Sequence, residues 1–423
     1  MVAPLDRSSS LAPLPQPPRS DRARSAQWNW PYWPIVPLYP YGQRRTLCRE
    51  VVPETIWVLE QIQGIFYVTV PIRMTVVRLE AGGLLVYAPV APTPECVAMM
   101  RKLESRYGAV KAIILPTVSG IEHKVFIGPF ARRFPQATVY TAGSQWSFPL
   151  DLPTSWLGFP LGRTQVLPEN PADFLFIKEF DYASLGPLSL GIGPFEEVAF
   201  LHRSTGTLLL TDSIISIPLD PPEVVQIDPF PLLFHGRDTV FDQVQDSPEA
   251  RRKGWQRICL FGLYFRPSCL KVTGWGQSFR EAARGRDRSR QNYFGLFPVQ
   301  WQPNWVESFA ALRGEGRLLA APILQTLILS RDPLTVLDWA DRVSRWRFQR
   351  IIPCHFDAPL AATPRQFRAA FTFLERETTL LRGGWAGWRR KPLPEADLQV
   401  LRQFSKFLDE SGIAPPAQTQ AVQ

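Results

Sequence analysis

The sequence predicts a layered α/β fold, and three observations carry that prediction. Between residues 84 and 141, β-rich apolar runs alternate with a periodic helical stretch. A second series of β-rich runs occupies residues 174–211. A helix–strand–helix succession then closes the core between residues 332 and 377. Alternation of this kind stacks helices on sheets, because each element has one apolar face to bury.

Taken in order, residues 55–90 read as strands: Ile65–Val70, Met74–Leu79 and Leu84–Tyr87, with Gly82–Gly83 as a hairpin turn. Thr93-Pro94-Glu95 opens a helix that runs to about Tyr107, where Gly108 closes it. Val110–Leu115 reads as a buried strand, Pro129–Phe134 as a short helix and Thr138–Thr141 as another strand. Phe174–Phe180, Leu188–Ile192, Glu197–His202 and Thr207–Thr211 form the second strand series. Trp305–Leu312 and Leu318–Leu329 read as helices, and Asp-Pro opens a helix over Asp332–Arg345. Arg350–Ile352 is the last expected strand, Thr363–Glu377 the last core helix, and residues 392–412 a small terminal helix. The expected organisation is a disordered tail over residues 1–27, one domain over 28–390, and a terminal helix and tail over 391–423.

Composition bounds the class. The 423 residues are 45% hydrophobic and include 27 Phe, 14 Trp and 10 Tyr, too many aromatics for a disordered chain. With 42 Pro against 27 Gly, and only 20% charged residues, collagen-like and coiled-coil classes are excluded. Five Cys without CxxC spacing argue against a disulfide framework or thiolate zinc site, and for a reducing compartment. Only four His are present, so any imidazole chemistry has a short list of carriers: His123, His202, His235 and His355. No apolar signal region opens the chain, and prolines at every third position interrupt Ser25–Gln43. The expectation is a soluble, cytoplasmic protein, with contact to a membrane surface as one option.

Two segments stand out. Residues 28–42 place Pro31, Pro34, Pro37 and Pro40 at the three-residue repeat of polyproline II, with Trp and Tyr on the other faces. Such an arm either packs on its own body or meets an aromatic-grooved partner. Residues from about 220 to 300 read as an irregular insertion. Its stretch 251–290 holds eleven Lys and Arg against Glu281 and Asp287, a net of +9 that equals the net charge of the chain. The partners this implies are an anionic membrane surface or an acidic protein; nucleic acid is a weaker alternative, and oligomeric state stays open.

The stretches LPTVSGIEHKVFIGPFARRFP, QWSFPLDLP, EVAFLHRSTGTLLLTDSI and IIPCHFDAP resemble an uncharacterised domain family of photosynthetic bacteria and plant plastids. The resemblance runs from about Trp28 to Glu377 and implies a metallo-β-lactamase-like αββα sandwich. In that fold a strand ends in T-H-x-H-x-D-H, a later strand in T-G-D, and a last strand in a lone His. Here Val118 and Gly120 stand at the first two His positions, and the third falls near Gly193, so the first metal's imidazoles are missing. Glu122, His123, Asp212 and His355 stand at the second metal's positions.

The resemblance therefore implies either no metal or one divalent metal, zinc, iron or manganese, held by those four residues. The first expectation for function is a catalytically degenerate member of the fold, an accessory or binding protein in a photosynthetic cell and not a two-metal hydrolase. The alternatives are a mononuclear metal-dependent hydrolase or oxidoreductase, and a nucleic-acid-binding protein acting through the insertion. Lys124 could attract an anion, Cys354 beside His355 could be a nucleophile, and His235 could close over the pocket; each has a structural alternative.

Overall fold

A computed structural model of the chain describes residues 26–118, 122–145, 152–190, 193–285, 287–375 and 392–414. The expected tail up to residue 25, Gly120, residues 146–149 of the QWSFP segment, Arg286, residues 376 and 377, and the tail 418–423 lie outside the described residues.

Two mixed sheets form the frame. The first has seven strands in sequential order: β1 (Leu47–Val52), β2 (Ile56–Ile65), β3 (Val68–Arg78), β4 (Leu84–Tyr87), β5 (Val110–Leu115), β6 (Thr138–Thr141) and β7 (Thr164–Val166). β1 to β4 pair antiparallel, and β4 to β7 pair parallel. The second sheet comprises β8 (Phe180–Ser189), β9 (Pro194–His202), β10 (Thr207–Leu210), β13 (Arg350–Pro353) and β14 (Leu360–Ala361), in the order β14-β13-β10-β9-β8. β11 (Leu270–Val272) and β12 (Val299–Trp301) form a separate pair.

Strand residues alternate between faces, and both faces of these sheets are covered, which explains why the strands read as continuous apolar runs. In β4, Leu85 and Tyr87 point to the layer between the sheets, whereas Leu84 and Val86 point outward. In β10, Leu209 points inward, and Leu208 and Leu210 outward. The outer face of the first sheet buries α1 (Pro94–Tyr107) and α2 (His123–Arg133) through Cys96, Met100, Phe126 and Phe130. The outer face of the second sheet buries α9 (Pro333–Ser344) and α10 (Pro364–Ala369) through Val336, Trp339, Val343 and Phe367. The chain is a metallo-β-lactamase-like αββα sandwich, as the resemblance implies.

Local signals account for several elements. Thr93 caps α1 by accepting from Cys96 N, and Gly108 closes it at φ 98°, a region that favours glycine. Asp332 caps α9 by accepting from Thr335 N, and Thr363 with Gln366 forms a capping box on α10.

Elsewhere the structure departs from the sequence reading. Ile65–Val70 is no single strand: the β2–β3 hairpin turns at Phe66 and Tyr67, both at positive φ. α2 starts at His123, six residues before the expected Pro129, which sits inside the helix. Phe174–Phe180 is mostly turn; Phe174 plugs the layer between the sheets against Tyr140, Tyr182 and Phe200, and only Phe180 enters β8. Leu318–Leu329 narrows to α8 (Pro322–Leu327) and a 3₁₀ turn.

Residues 28–43 are a closed loop and not a polyproline arm. Trp30 N donates to Gly42 O at 2.9 Å and Arg44 N to Trp28 O at 2.8 Å. Trp30 is buried against Phe126, and Tyr39 against Tyr67.

The insertion is structured. After the single turn α3 (Glu223–Gln226) come α4 (Phe230–Gly236), α5 (Pro248–Tyr264), α6 (Trp275–Arg284) and α7 (Trp305–Arg313). All of these except α6 share with α11 (Glu395–Glu410) a core that includes Leu232, Trp255, Ile258, Leu260, Phe309 and Leu401. α5 crosses α4 so closely that a Cβ on Gly254 would lie 1.8 Å from Leu232 O. No helix among the described residues is long and apolar enough to cross a membrane.

Candidate metal centre

The parallel segment after β5 carries the first two site residues. Beyond Leu115 the chain leaves the first sheet and bridges to the second: Thr117 pairs with Glu197, and Val198 N donates to Pro116 O at 2.7 Å. Glu122 then stands at the N-cap of α2, and His123 opens the helix. A carboxylate at a helix N-terminus is favoured by the peptide dipoles there. Asp212 lies on the turn after β10, and His355 lies just beyond β13. Because β10 and β13 are parallel neighbours, their C-terminal ends open on the same edge of the sheet.

The structure brings these residues together. Glu122, His123 and His355 each offer a ligand atom within 4.8 Å of the others. His355 Nε2 is 2.9 Å from Glu122 Oε2 and 3.1 Å from Asp212 Oδ1. The tight group is thus three residues, and Asp212 joins it through His355.

Each ring is oriented by a backbone carbonyl. His123 Nδ1 donates to Pro89 O at 3.0 Å, and His355 Nδ1 donates to Pro71 O at 2.9 Å. A carbonyl can only accept, so each Nδ1 carries a proton and each Nε2 is the atom turned to the site. His123 is fully buried, and its Nε2 has no hydrogen-bond partner. Burial, outweighing the neighbouring carboxylates, holds its pKa below the ordinary histidine value. It is therefore a neutral ring with a lone pair aimed at a polar cluster.

His355 behaves oppositely. Burial disfavours its charge, but Glu122 and Asp212 outweigh burial and hold its pKa well above the ordinary value. For Glu122, burial pushes the carboxyl up, while His355 overrides it and holds the pKa down at about 2. In the metal-free cluster His355 is an imidazolium clasped by two carboxylates.

Two buried charged residues that the sequence reading missed position this site. Glu197, fully buried in β9, accepts from the N–H groups of Thr211, Asp212 and Ser213 at 2.8, 3.0 and 2.8 Å, and from Ser213 Oγ at 2.9 Å. It shapes the turn that presents Asp212. Burial, then the Asp212 charge, push its carboxyl up to about 7 against those donors. Arg73, on β3, pairs with Glu60 at 2.6 Å and donates to the carbonyls of Pro353 and Phe356, which flank His355. The visible signal for Glu197 was two successive glutamates inside the apolar run of residues 195–201.

The other candidates fall elsewhere. His235 does not close over the site: it is buried in α4, with Nε2 against Phe66 O at 3.2 Å and its ring beside Phe261. Burial lowers its pKa to about 4. His202 bonds Thr205 Oγ1 at 2.9 Å within its own hairpin. Cys354 faces the layer between the sheets, where burial raises its thiol pKa well above normal, so it is no thiolate nucleophile. Lys124 is buried at 6% exposure and is not set at an open mouth. Val118, at a first-metal position, is buried between the sheets.

Several solved structures are similar to this chain. The metal-soaked Flv1 flavodiiron core from Synechocystis sp. PCC6803 matches at 12% identity and TM-score 0.38, covering 79% of this chain and 62% of that one. The metallo-beta-lactamase from Pontibacter korlensis matches at 9% identity and TM-score 0.33, covering 78% and 99%. The metallo-beta-lactamase FIM-1 from Pseudomonas aeruginosa in the mono-zinc form matches at 8% identity and TM-score 0.33, covering 79% and 96%. The chain thus spans less than two thirds of the flavodiiron core's length. Among curated proteins, none matches. The family model described as a domain of unknown function (DUF4336) matches residues 53–373, three quarters of the sequence and all four clustered residues, and the chain belongs to that family.

Proposed function

We propose that the chain is a single-metal member of this fold, catalytically degenerate as a two-metal hydrolase, with Glu122, His123, Asp212 and His355 as the ligand set. The observation that supports this reading is the orphaned Nε2 of His123. A fully buried lone pair without a partner is costly, and this one is turned toward Glu122 and His355 by the Pro89 hydrogen bond. Carbonyl-oriented imidazoles of this kind are the usual support of a metal ligand. Two imidazoles and two carboxylates suit zinc, iron or manganese.

When bound, such an ion supplies Lewis-acid or redox chemistry. This chain's own residues supply the orientation: Pro89 and Pro71 fix the two rings, Glu197 holds the Asp212 turn, and Arg73 holds the segment of His355. A second metal would need imidazoles at Val118, Gly120 and Gly193, whose side chains offer none.

The test is elemental analysis of full-length protein loaded separately with zinc, iron(II) and manganese(II) and then dialysed. The expected result is one ion per chain, falling to about a tenth of that in His123→Ala, since loss of a ligand or its support costs 10- to 100-fold or more in affinity. A loaded wild-type chain that retains no metal overturns the reading.

A second reading is favoured by His355, whose two nitrogens both donate. Here the cluster is an internal ion pair, and the chain acts as an accessory or binding protein, in a photosynthetic cell as its sequence resemblance implies. A metal-free protein whose thermal midpoint is unmoved by all three ions would support it.

A further inference from the structure

The positive charge of the insertion divides into two parts. Arg251 pairs with Asp246 and Arg252 with Asp220, both at 2.5 Å. Lys253 and Arg257 pair with Asp238 at 2.8 and 2.6 Å. These carboxylates lie just upstream of the basic stretch. Over residues 220–300 the chain has 12 basic and 9 acidic residues, a net of +3. The remaining part is different. Lys271, Arg280, Arg284 and Arg290 are exposed, and none forms an ion pair among the described residues.

That second part also carries exposed aromatics. On α6, Trp275 and Phe279 are 68% and 58% exposed, with their rings 6.1 Å apart. Val272, just before the helix, is exposed as well. Successive helical residues turn by about 100°. Going round α6, Ser278 and Ala282 face the body, then come Trp275, Phe279 and Ala283, and then Arg280 and Arg284. The result is an apolar strip bordered by cations, on a helix lying along the surface.

We propose that this face docks on an anionic lipid bilayer. Trp275, Phe279 and Val272 enter the headgroup boundary, and Lys271, Arg280, Arg284 and Arg290 meet the lipid phosphates. A bilayer is the occupant this chemistry fits. Tryptophan beside Lys and Arg is the composition of interfacial anchors. Each cation near an anionic leaflet adds attraction without needing a shaped acceptor.

The test is co-sedimentation of the full chain with vesicles of phosphatidylcholine alone, of phosphatidylcholine mixed with phosphatidylserine, and, separately, gel shift with single-stranded RNA. The expected result is binding to the mixed vesicles only, weakening as salt rises. Trp275→Ser with Phe279→Ser should lower the affinity about tenfold, and Arg280→Gln with Arg284→Gln should lower it about as much and flatten the salt dependence. Arg251→Gln with Arg252→Gln should leave binding unchanged, because those cations are already paired. Equal binding to phosphatidylcholine, insensitivity to both α6 double variants, or binding to RNA without binding to vesicles would overturn the proposal. The α6 substitutions lie on the exposed surface, so an unchanged thermal midpoint in each variant separates lost docking from lost folding.

Discussion

Arg73 and Phe356 are 283 positions apart in the sequence, and the Arg73 guanidinium donates to the Phe356 carbonyl oxygen at 2.8 Å. The same side chain reaches Pro353 O and Glu60, and is only 1% exposed. Removing Arg73 leaves the buried Glu60 with only the longer Arg49 contact at 3.5 Å, and takes the guanidinium donor from two carbonyls. Arg73→Met is expected to destabilise the chain by about 3–5 kcal/mol, read by urea denaturation. A loss below about 1 kcal/mol would show that water replaces the guanidinium.

Glu197 makes a more specific prediction. Its carboxylate only accepts, and it satisfies four donors of the 211–213 turn. Glu197→Gln keeps the shape but turns an NH₂ group toward backbone N–H groups. The expected loss is about 2–4 kcal/mol, and metal retention should fall as Asp212 shifts. Retained stability together with retained metal would show that the turn holds its own shape.

Buried histidines should shape the acid limb of the stability curve. His202 and His235 are each lowered by burial to about 4, against an unfolded value near 6.5. The unfolded chain therefore binds their protons more readily, and the stability they contribute, complete above pH 6.5, is lost as pH falls toward 4. For a group so shifted the loss approaches about 3 kcal/mol. Glu197, raised to about 7, runs the other way, so the readout is the difference between His235→Leu and the parent from pH 7 to 4.5. The variant should show the shallower acid loss; parallel curves would show that the His235 ring titrates normally.

Gly254→Ala tests the packing of the insertion. Its Cβ would stand 1.8 Å from Leu232 O and 2.6 Å from Leu232 C, both backbone atoms that cannot swing aside. Alanine normally favours a helix interior by about 1 kcal/mol over glycine. Here the sign should reverse, with a fall in thermal midpoint of several degrees. An unchanged midpoint would show that α4 and α5 can separate freely.

How much was legible follows from how local each signal is. α1 could be read to the residue because Thr93 and Gly108 terminate it within one turn of chain. α2 could not, because Pro129 resembles a helix opening, while packing of Phe126 and Phe130 supports a helix that continues through it. Phe174–Phe180 has a strand's composition, but β-propensity reports a fit to a buried surface, which Phe174 finds without pairing. The insertion's charge was only partly legible because a window beginning at Arg251 excludes Asp220, Asp238 and Asp246, which pair Arg251, Arg252, Lys253 and Arg257 from upstream. The clustered residues were legible because each follows a strand end at a motif position. The carbonyls of Pro71 and Pro89 were not, since a backbone acceptor leaves no trace in residue identity.

Glu122 and His123 follow the first sheet, whereas Asp212 and His355 follow the second. The 2.9 Å contact between Glu122 and His355, reinforced by Arg73 reaching across to Pro353 and Phe356, is a rivet through the seam of the sandwich. Neither half of the chain can assemble this cluster alone, so the cluster forms only once the two sheets have mated in register. Parting the layers must break this contact together with the Tyr87–Val198 and His355–Pro71 bonds that also cross the seam, while each sheet can keep its own ladder.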